Sequence, residues 1–245
     1  MGWRRPSGGR IKEAGRGATQ MDERSLASIR ARTAELLDRI PPGVTLVAAA
    51  KGRTAQEVRA ALQGGIRIVG HNYVQEAEAM IAVLGGPATW HMIGHLQRNK
   101  VRKAIRLFDL IETLDSLHLA QEIDRRCAVM GKVMPVLVEV NSGRETSKSG
   151  VFPEDLEKLV RGLQAYEHIR VEGLMTMGPR FGDPELARPF FRATREAFEH
   201  LSSLDLPNVS MQTLSMGMSN SYQIAIEEGA NLVRIGTLLF GERPV

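Results

Sequence analysis

The chain has a single cysteine, Cys127, in 245 residues. A scaffold stapled by internal disulfides is thereby excluded, and a lone thiol suits a reducing compartment. No apolar run approaches the roughly 20 residues that a membrane span requires, so no membrane partner is expected. The body also lacks a charge excess. The net charge of +4 is already supplied by residues 1–20, where Arg4, Arg5, Arg10, Lys12 and Arg16 face only Glu13. A neutral body argues against a diffuse nucleic-acid footprint, and no nucleic-acid partner is expected. No linker, low-complexity tract or charge block divides the rest of the chain. The opening segment MGWRRPSGGRIKEAGRGATQ lacks the apolar core of a secretory signal. Residues 1–20 are read as a disordered basic extension, with Met21 a candidate start, and residues 21–245 as one domain in the cytoplasm.

What is present is a regular alternation. MDERSLASIRARTAELLDRI (21–40) carries Leu26, Ile29, Ala34, Leu36, Leu37 and Ile40 on approximately one helical face, and Pro41 and Pro42 stop it. Eight short apolar runs follow: TLVAAAK (45–51), IRIVGH (66–71), TWHMIGH (89–95), DLIETLD (109–115), VMPVLVEVN (133–141), IRVEGLMTM (169–177), VSMQTLSM (209–216) and LVRIGTLLF (232–240). Amphipathic segments such as TAQEVRAALQGG and PEDLEKLVRGLQAYEH lie between them. This pattern predicts the α/β class, as a single parallel (β/α)8 TIM-type barrel with an extra N-terminal helix. The alternative, an open doubly wound sheet, usually carries a G-x-G-x-x-G first turn, where this chain has KGRTAQE.

Barrel enzymes build their sites at the C-terminal ends of the strands. Those ends offer Lys51, His71 and Asn72, His91 to His95, Thr113 and Asp115, Asn141, Met175 to Met177, Ser215 to Ser219, Arg234, and Gly236 with Thr237. Lys51 is either a solvated strand-end charge or an amine placed to attack a carbonyl. His91 and His95 lie four apart, but on a strand that spacing does not bring them to one metal, and no metal is expected. No G-x-S-x-G elbow supports a serine nucleophile. Phosphate fits better. LSMGMSNSY (214–222) offers Ser215, Gly217, Ser219 and Ser221 ahead of a helix start, and RIGT adds a close backbone approach at Gly236 and a hydroxyl at Thr237. A local alternative is that Ser219 caps its helix. A lysine after strand 1 and a phosphate cradle after strands 7 and 8 imply a phosphorylated carbonyl compound, either pyridoxal 5′-phosphate (PLP) or the substrate of a sugar-phosphate aldolase.

The motifs AAAK (48–51), GHNYVQE (70–76), WHMIGHLQRNK (90–100), NSGRETSKSG (141–150), GLMTMG (173–178), LSMGMSNSY (214–222) and VRIGTLLFGER (233–243) together resemble the pyridoxal phosphate homeostasis proteins of the YggS/PROSC type. The match runs from about residue 25 to the C-terminus. That family is similar in fold to the N-terminal barrel of the alanine racemases. The resemblance implies PLP held as an internal aldimine by Lys51. It places Ser219, Gly236 and Thr237 at the phosphate with Ser215 nearby, Arg234 facing the pyridine nitrogen, and Asn72 and Met175 along the pocket.

It further implies a monomer or weak dimer acting in vitamin B6 and amino-acid balance without robust catalysis, with PLP-dependent apo-enzymes as candidate recipients and no catalytic residue assigned. The alternatives are an amino-acid racemase and a class I aldolase that uses Lys51 directly. Racemisation needs a second acid/base, which alanine racemases take from a C-terminal β domain of the partner subunit. This sequence stops at Val245, just after its last strand, and is expected to lack that group; Tyr73 is the local candidate to substitute, against the commoner reading of a tyrosine at a helix start as a packing residue. Two positions depart from the family pattern. His71 stands where glutamate is usual, and Gly52 where threonine is usual. The cluster Arg98, Lys100, Arg102 and Lys103, with Lys148, is either a solvated helix face or a surface for PLP in transit.

Overall fold

The computed structural model describes residues 23–86, 88–145, 148–178 and 182–242. Eight strands form a closed barrel in chain order, each parallel to its neighbours: β1 (Thr45–Ala49), β2 (Ile68–His71), β3 (Thr89–Met92), β4 (Leu110–Leu114), β5 (Met134–Val140), β6 (Ile169–Thr176), β7 (Val209–Ser215) and β8 (Leu232–Ile235). The helices are α1 (Glu23–Arg39), α2 (Ala55–Gln63), α3 (Val74–Leu84), α4 (Val101–Leu107), α5 (Leu117–Met130), α6 (Pro153–Leu163), α7 (Arg188–Ser202), α8 (Tyr222–Glu227) and α9 (Thr237–Phe240). The barrel and the extra N-terminal helix are therefore as the alternation predicts. The reading of residues 1–20 lies outside the described residues.

Two apolar cores hold the barrel. The larger lies between sheet and helices, and a smaller one, Leu110, Leu137 and Met175 with Met177 packed against it, forms apart from it. Fully burying side chains of this size contributes about 1.5–3 kcal/mol each. Helix α1 buries Ile29, Thr33 and Leu36 and packs against α2 and α9. Thr33 takes the core position that apolarity assigned to Ala34, which is exposed. Its hydroxyl is satisfied by the Ile29 carbonyl at 2.7 Å, so it enters the core without an unpaired donor.

The apolar runs overstate the strands at their C-terminal ends. TLVAAAK leaves the sheet after Ala49, and TWHMIGH after Met92. LVRIGTLLF is split, because β8 stops at Ile235 and residues 237–240 turn as α9. Short apolar runs do not separate strand from helix by hydrophobicity alone. Within this one, Thr237 and Leu238 are exposed while Leu239 and Phe240 are buried. That is the paired rhythm of a helix turn, and strand alternation would differ. The consequence is functional: the splits lift Lys51 into a turn and Thr237 to the first position of α9, both at the mouth.

Candidate cofactor site at the barrel mouth

Lys51 occupies a turn closed by the Arg53 N–H on the Ala50 carbonyl at 3.0 Å. Gly52 follows it at φ +67°, the third-residue conformation of a type II turn, which glycine adopts without strain. This explains why Gly52 is comfortable where threonine is usual. Glu76 of α3 accepts from the Gly52 N–H at 3.2 Å. The Arg53 guanidinium reaches Glu57, at 3.2 Å, and the carbonyls of Phe240 and Gly241 at the end of α9. A reciprocal capping box between Thr54 and Glu57 then starts α2. The turn is thus tied to α3 on one side and to α9 on the other. The half-buried Lys51 has its Nζ 5.1 Å from the centroid of the Tyr73 ring.

On the α9 side, the backbone N–H groups of Gly236 and Leu238 both donate to Ser219 Oγ, at 3.3 and 3.4 Å. Ser219 therefore joins the loops after β7 and β8. It does not cap α8, whose N-cap is Ser221. A Cβ on Gly236 would lie 3.2 Å from the Ala49 carbonyl, so this cradle abuts the end of β1, two residues before Lys51. Thr237 is exposed at the first position of α9. Strand β1 pairs with β8 on one side and β2 on the other, which sets Lys51 between the cradle and the half-buried Asn72.

Below the mouth the barrel encloses a charged network. Glu112 is fully buried, accepts from Ser215 Oγ at 2.6 Å, and lies 2.7 Å from His91 Nδ1. The Arg234 guanidinium donates to Ser215 Oγ and to the Thr176 carbonyl (2.8 Å), and stands 3.8 Å from Glu112. Burial pushes the Glu112 carboxyl up, but the His91 hydrogen bond and charge, with Arg234 and Ser215, outweigh it and hold the group below its usual range. Burial likewise lowers Arg234, against the support of Glu112 and Glu139. Glu139 is the odd member. Its Oε2 is buried without a hydrogen-bond partner, and burial, with Asp115 adding and Arg234 opposing, pushes its carboxyl up to about 7.

The structure thus brings Lys51, Ser219, Gly236 and Thr237 to the mouth and sorts the other predicted residues differently. Ser215 belongs to the interior network, where it links Glu112 to Arg234. Met175 is fully buried against Leu110 and Leu137. Asn141 organises its own loop, holding Glu145 and Lys148 backbone groups. His91 and His95 part company, one on Glu112 and the other 3.5 Å from Asp115; no potential metal cluster occurs among the described residues. Glu112 and Glu139 were missed from sequence, although a carboxylate inside LIETL or VLVEV is the signal of a satisfied or functional charge in a buried strand.

His71 is not at the mouth. It is fully buried, stacked on Trp90 with centroids 5.9 Å apart, and its Nδ1 lies 4.0 Å from Glu76. Neither ring nitrogen has a hydrogen-bond partner. Burial lowers its pKa from 6.5 to about 4, with Glu76 opposing. Between these values the unfolded chain binds the proton and the folded one does not, so stability is lost as pH falls from 6.5 to 4. The loss should be about 3 kcal/mol. Denaturant melts at pH 7 and pH 4.5 should show this acid-dependent loss, and His71→Phe, which keeps the stacking, should remove most of it.

A family model described as alanine racemase, N-terminal domain, matches residues 25–244. A pyridoxal phosphate homeostasis protein of Aquifex aeolicus (strain VF5) is 42% identical over 199 residues, covering 81% of this chain and 86% of that protein. One from Pseudomonas aeruginosa is 37% identical over 223 residues, with 89% and 94% covered. The structure of PipY from Synechococcus elongatus PCC7942 with PLP bound matches at a TM-score of 0.80 and 34% identity, over 87% of this chain and 100% of that one. An alanine racemase of Clostridium difficile 630, 16% identical, shares the fold at a TM-score of 0.73, over 89% of this chain and 56% of its own. With a family match across almost the whole barrel and relatives this similar along most of their length, the chain belongs to the alanine racemase N-terminal domain family, among its pyridoxal phosphate homeostasis proteins.

Proposed function

We propose that this chain binds PLP at the barrel mouth and serves PLP homeostasis as a holding protein without robust catalysis. The observation that carries the reading is the pair of N–H groups of Gly236 and Leu238 converging on one oxygen beside the Lys51 turn. Two convergent backbone donors are a fit for a phosphate oxygen, and Ser219 Oγ holds that place here. When bound, PLP supplies an aldehyde carbon and an electron-withdrawing ring. Lys51 offers the amine, on a turn that starts beside the cradle and is tied down by Glu76 on the Gly52 N–H and by Arg53 on the end of α9. Thr237 adds a hydroxyl at the phosphate. Arg234 stays cationic and acts only as a donor, so at a ring nitrogen it disfavours protonation and weakens the ring as an electron sink. Ser215, Thr176 and Glu112 orient that guanidinium.

The homeostasis proteins and the PLP-bound neighbour described above support the same reading. No described helix is long and apolar enough to cross a membrane, and we place the function in the cytoplasm, with PLP-dependent apo-enzymes as recipients. The test is direct. Protein mixed with PLP should develop a visible absorption band, and borohydride should fix the cofactor to the peptide carrying Lys51. Alanine in deuterated water should show no rapid α-proton exchange. A protein that stays colourless and unlabelled would defeat the reading, and rapid exchange would favour the racemase.

A further inference from the structure

A cavity of about 380 Å³ opens at the mouth between the loops after β2 and β3, lined by Asn72, Tyr73, Gln75, His95, Gln97 and Lys100 among others. Its polar lining is one-sided. Lys100 has no ion pair among the described residues, and no side-chain hydrogen bond engages Asn72, Gln75 or Gln97. No carboxylate lines it. The nearby Glu76 is turned to the Gly52 N–H, and Asp115 faces His95. A cation and three uncommitted amides around one concavity are a donor set for an oxyanion. Lys51 does not line the cavity itself, but one side chain joins the two: Tyr73 lines the cavity, and Lys51 Nζ lies 5.1 Å from the centroid of its ring. Since β8, β1, β2 and β3 are consecutive neighbours, Lys51 stands between the Ser219 cradle on one side and this cavity on the other.

We propose that the cavity is a second oxyanion subsite, which holds the phosphate or carboxylate of a small molecule next to Lys51 while the cradle is filled. The inference rests on the PLP reading and deepens it. A holding protein must meet either an incoming cofactor or a cofactor-accepting compound, and a separate anion site lets the second molecule dock before the first leaves. Lys100 gives the charge, and Gln97, Gln75 and Asn72 give neutral donors.

The experiment uses pyridoxine 5′-phosphate, which lacks the aldehyde and cannot condense with Lys51. Equilibrium dialysis on the wild-type protein should find two equivalents bound if the subsite takes phosphate. Lys100→Gln should weaken one of the two by about 10-fold or more, the scale of a lost charge-assisted hydrogen bond. Lys103→Gln, whose ammonium already pairs with exposed Glu78, should change neither. Inorganic phosphate should compete at the Lys100-dependent site. If only one equivalent binds, glycine is titrated against protein already loaded with PLP and reduced by borohydride; Lys100-dependent binding then assigns a carboxylate subsite. One equivalent with no Lys100-dependent glycine binding, or two equivalents indifferent to Lys100→Gln, overturns the proposal. Borohydride labelling of Lys51 by PLP reports the underlying reading separately, so the two failures cannot be confused.

Discussion

Lys51→Ala should fold normally, develop no absorption band with PLP, and lose about 100-fold or more in affinity for it. The side chain is half-buried, and its Nζ lies over the Tyr73 ring. Losing an exposed cation–π contact costs about 0.5–1 kcal/mol, and alanine is compatible with the second position of the turn. The stability change should therefore stay below about 1 kcal/mol. The affinity loss is of another order, because the covalent partner of the aldehyde disappears and only the phosphate cradle and Arg234 remain. A 100-fold change corresponds to about 3 kcal/mol. Weak binding of the phosphate group should survive in the variant, and Ser219→Val, which turns the bridging hydroxyl into a methyl, should alter that residue of binding. Spectral titration with a parallel thermal melt separates the two effects. Wild-type affinity and a wild-type band in Lys51→Ala would remove the lysine from the site.

Glu112→Ala should be the most damaging change to the fold, at about 3–5 kcal/mol at pH 6. The carboxylate is the countercharge of a guanidinium that is 4% exposed, and it also receives His91 and Ser215. Removing one member of a buried charge network leaves the others desolvated and unpaired, which is costlier than the pair itself is stabilising. Glu139 supplies a specific signature. Its carboxyl sits near 7 and already feels Arg234, so above that pH it can take over part of the lost negative charge. The deficit should accordingly be smaller at pH 8 than at pH 6. Urea unfolding at the two pH values checks this, with PLP affinity as a second readout because Arg234 loses its support. A loss under 1 kcal/mol, or one that does not depend on pH, would show that Glu112 is not the anchor of the network.

Much of this was legible in the chain itself. Eight apolar runs separated by amphipathic segments carry the barrel, because parallel strands buried on both faces read as unbroken hydrophobic stretches. The N-terminal helix was legible from periodicity, although a threonine that bonds its own backbone displaced alanine from the core face. Lys51 and the Ser219, Gly236 and Thr237 group were reachable because they follow strands at predictable ends. Ser215 and Met175 show the limit. Being next to a site in sequence does not distinguish a side chain at the mouth from one inside the barrel, since alternate residues of one strand differ in facing and depth.

What the sequence determined by itself is the order of strands and helices, and hence which loops share the mouth with Lys51. That follows from local periodicity and from the parallel connectivity it forces. Tertiary structure alone decided which polar groups are partners. Glu112 meets Ser215 across 103 positions of chain and Arg53 meets Gly241 across 188, and only barrel closure brings such residues within hydrogen-bond reach. The same closure buries His71 without a hydrogen-bond partner and sets Lys51 between the Asn72 side of the mouth and the cradle of Ser219, Gly236 and Leu238.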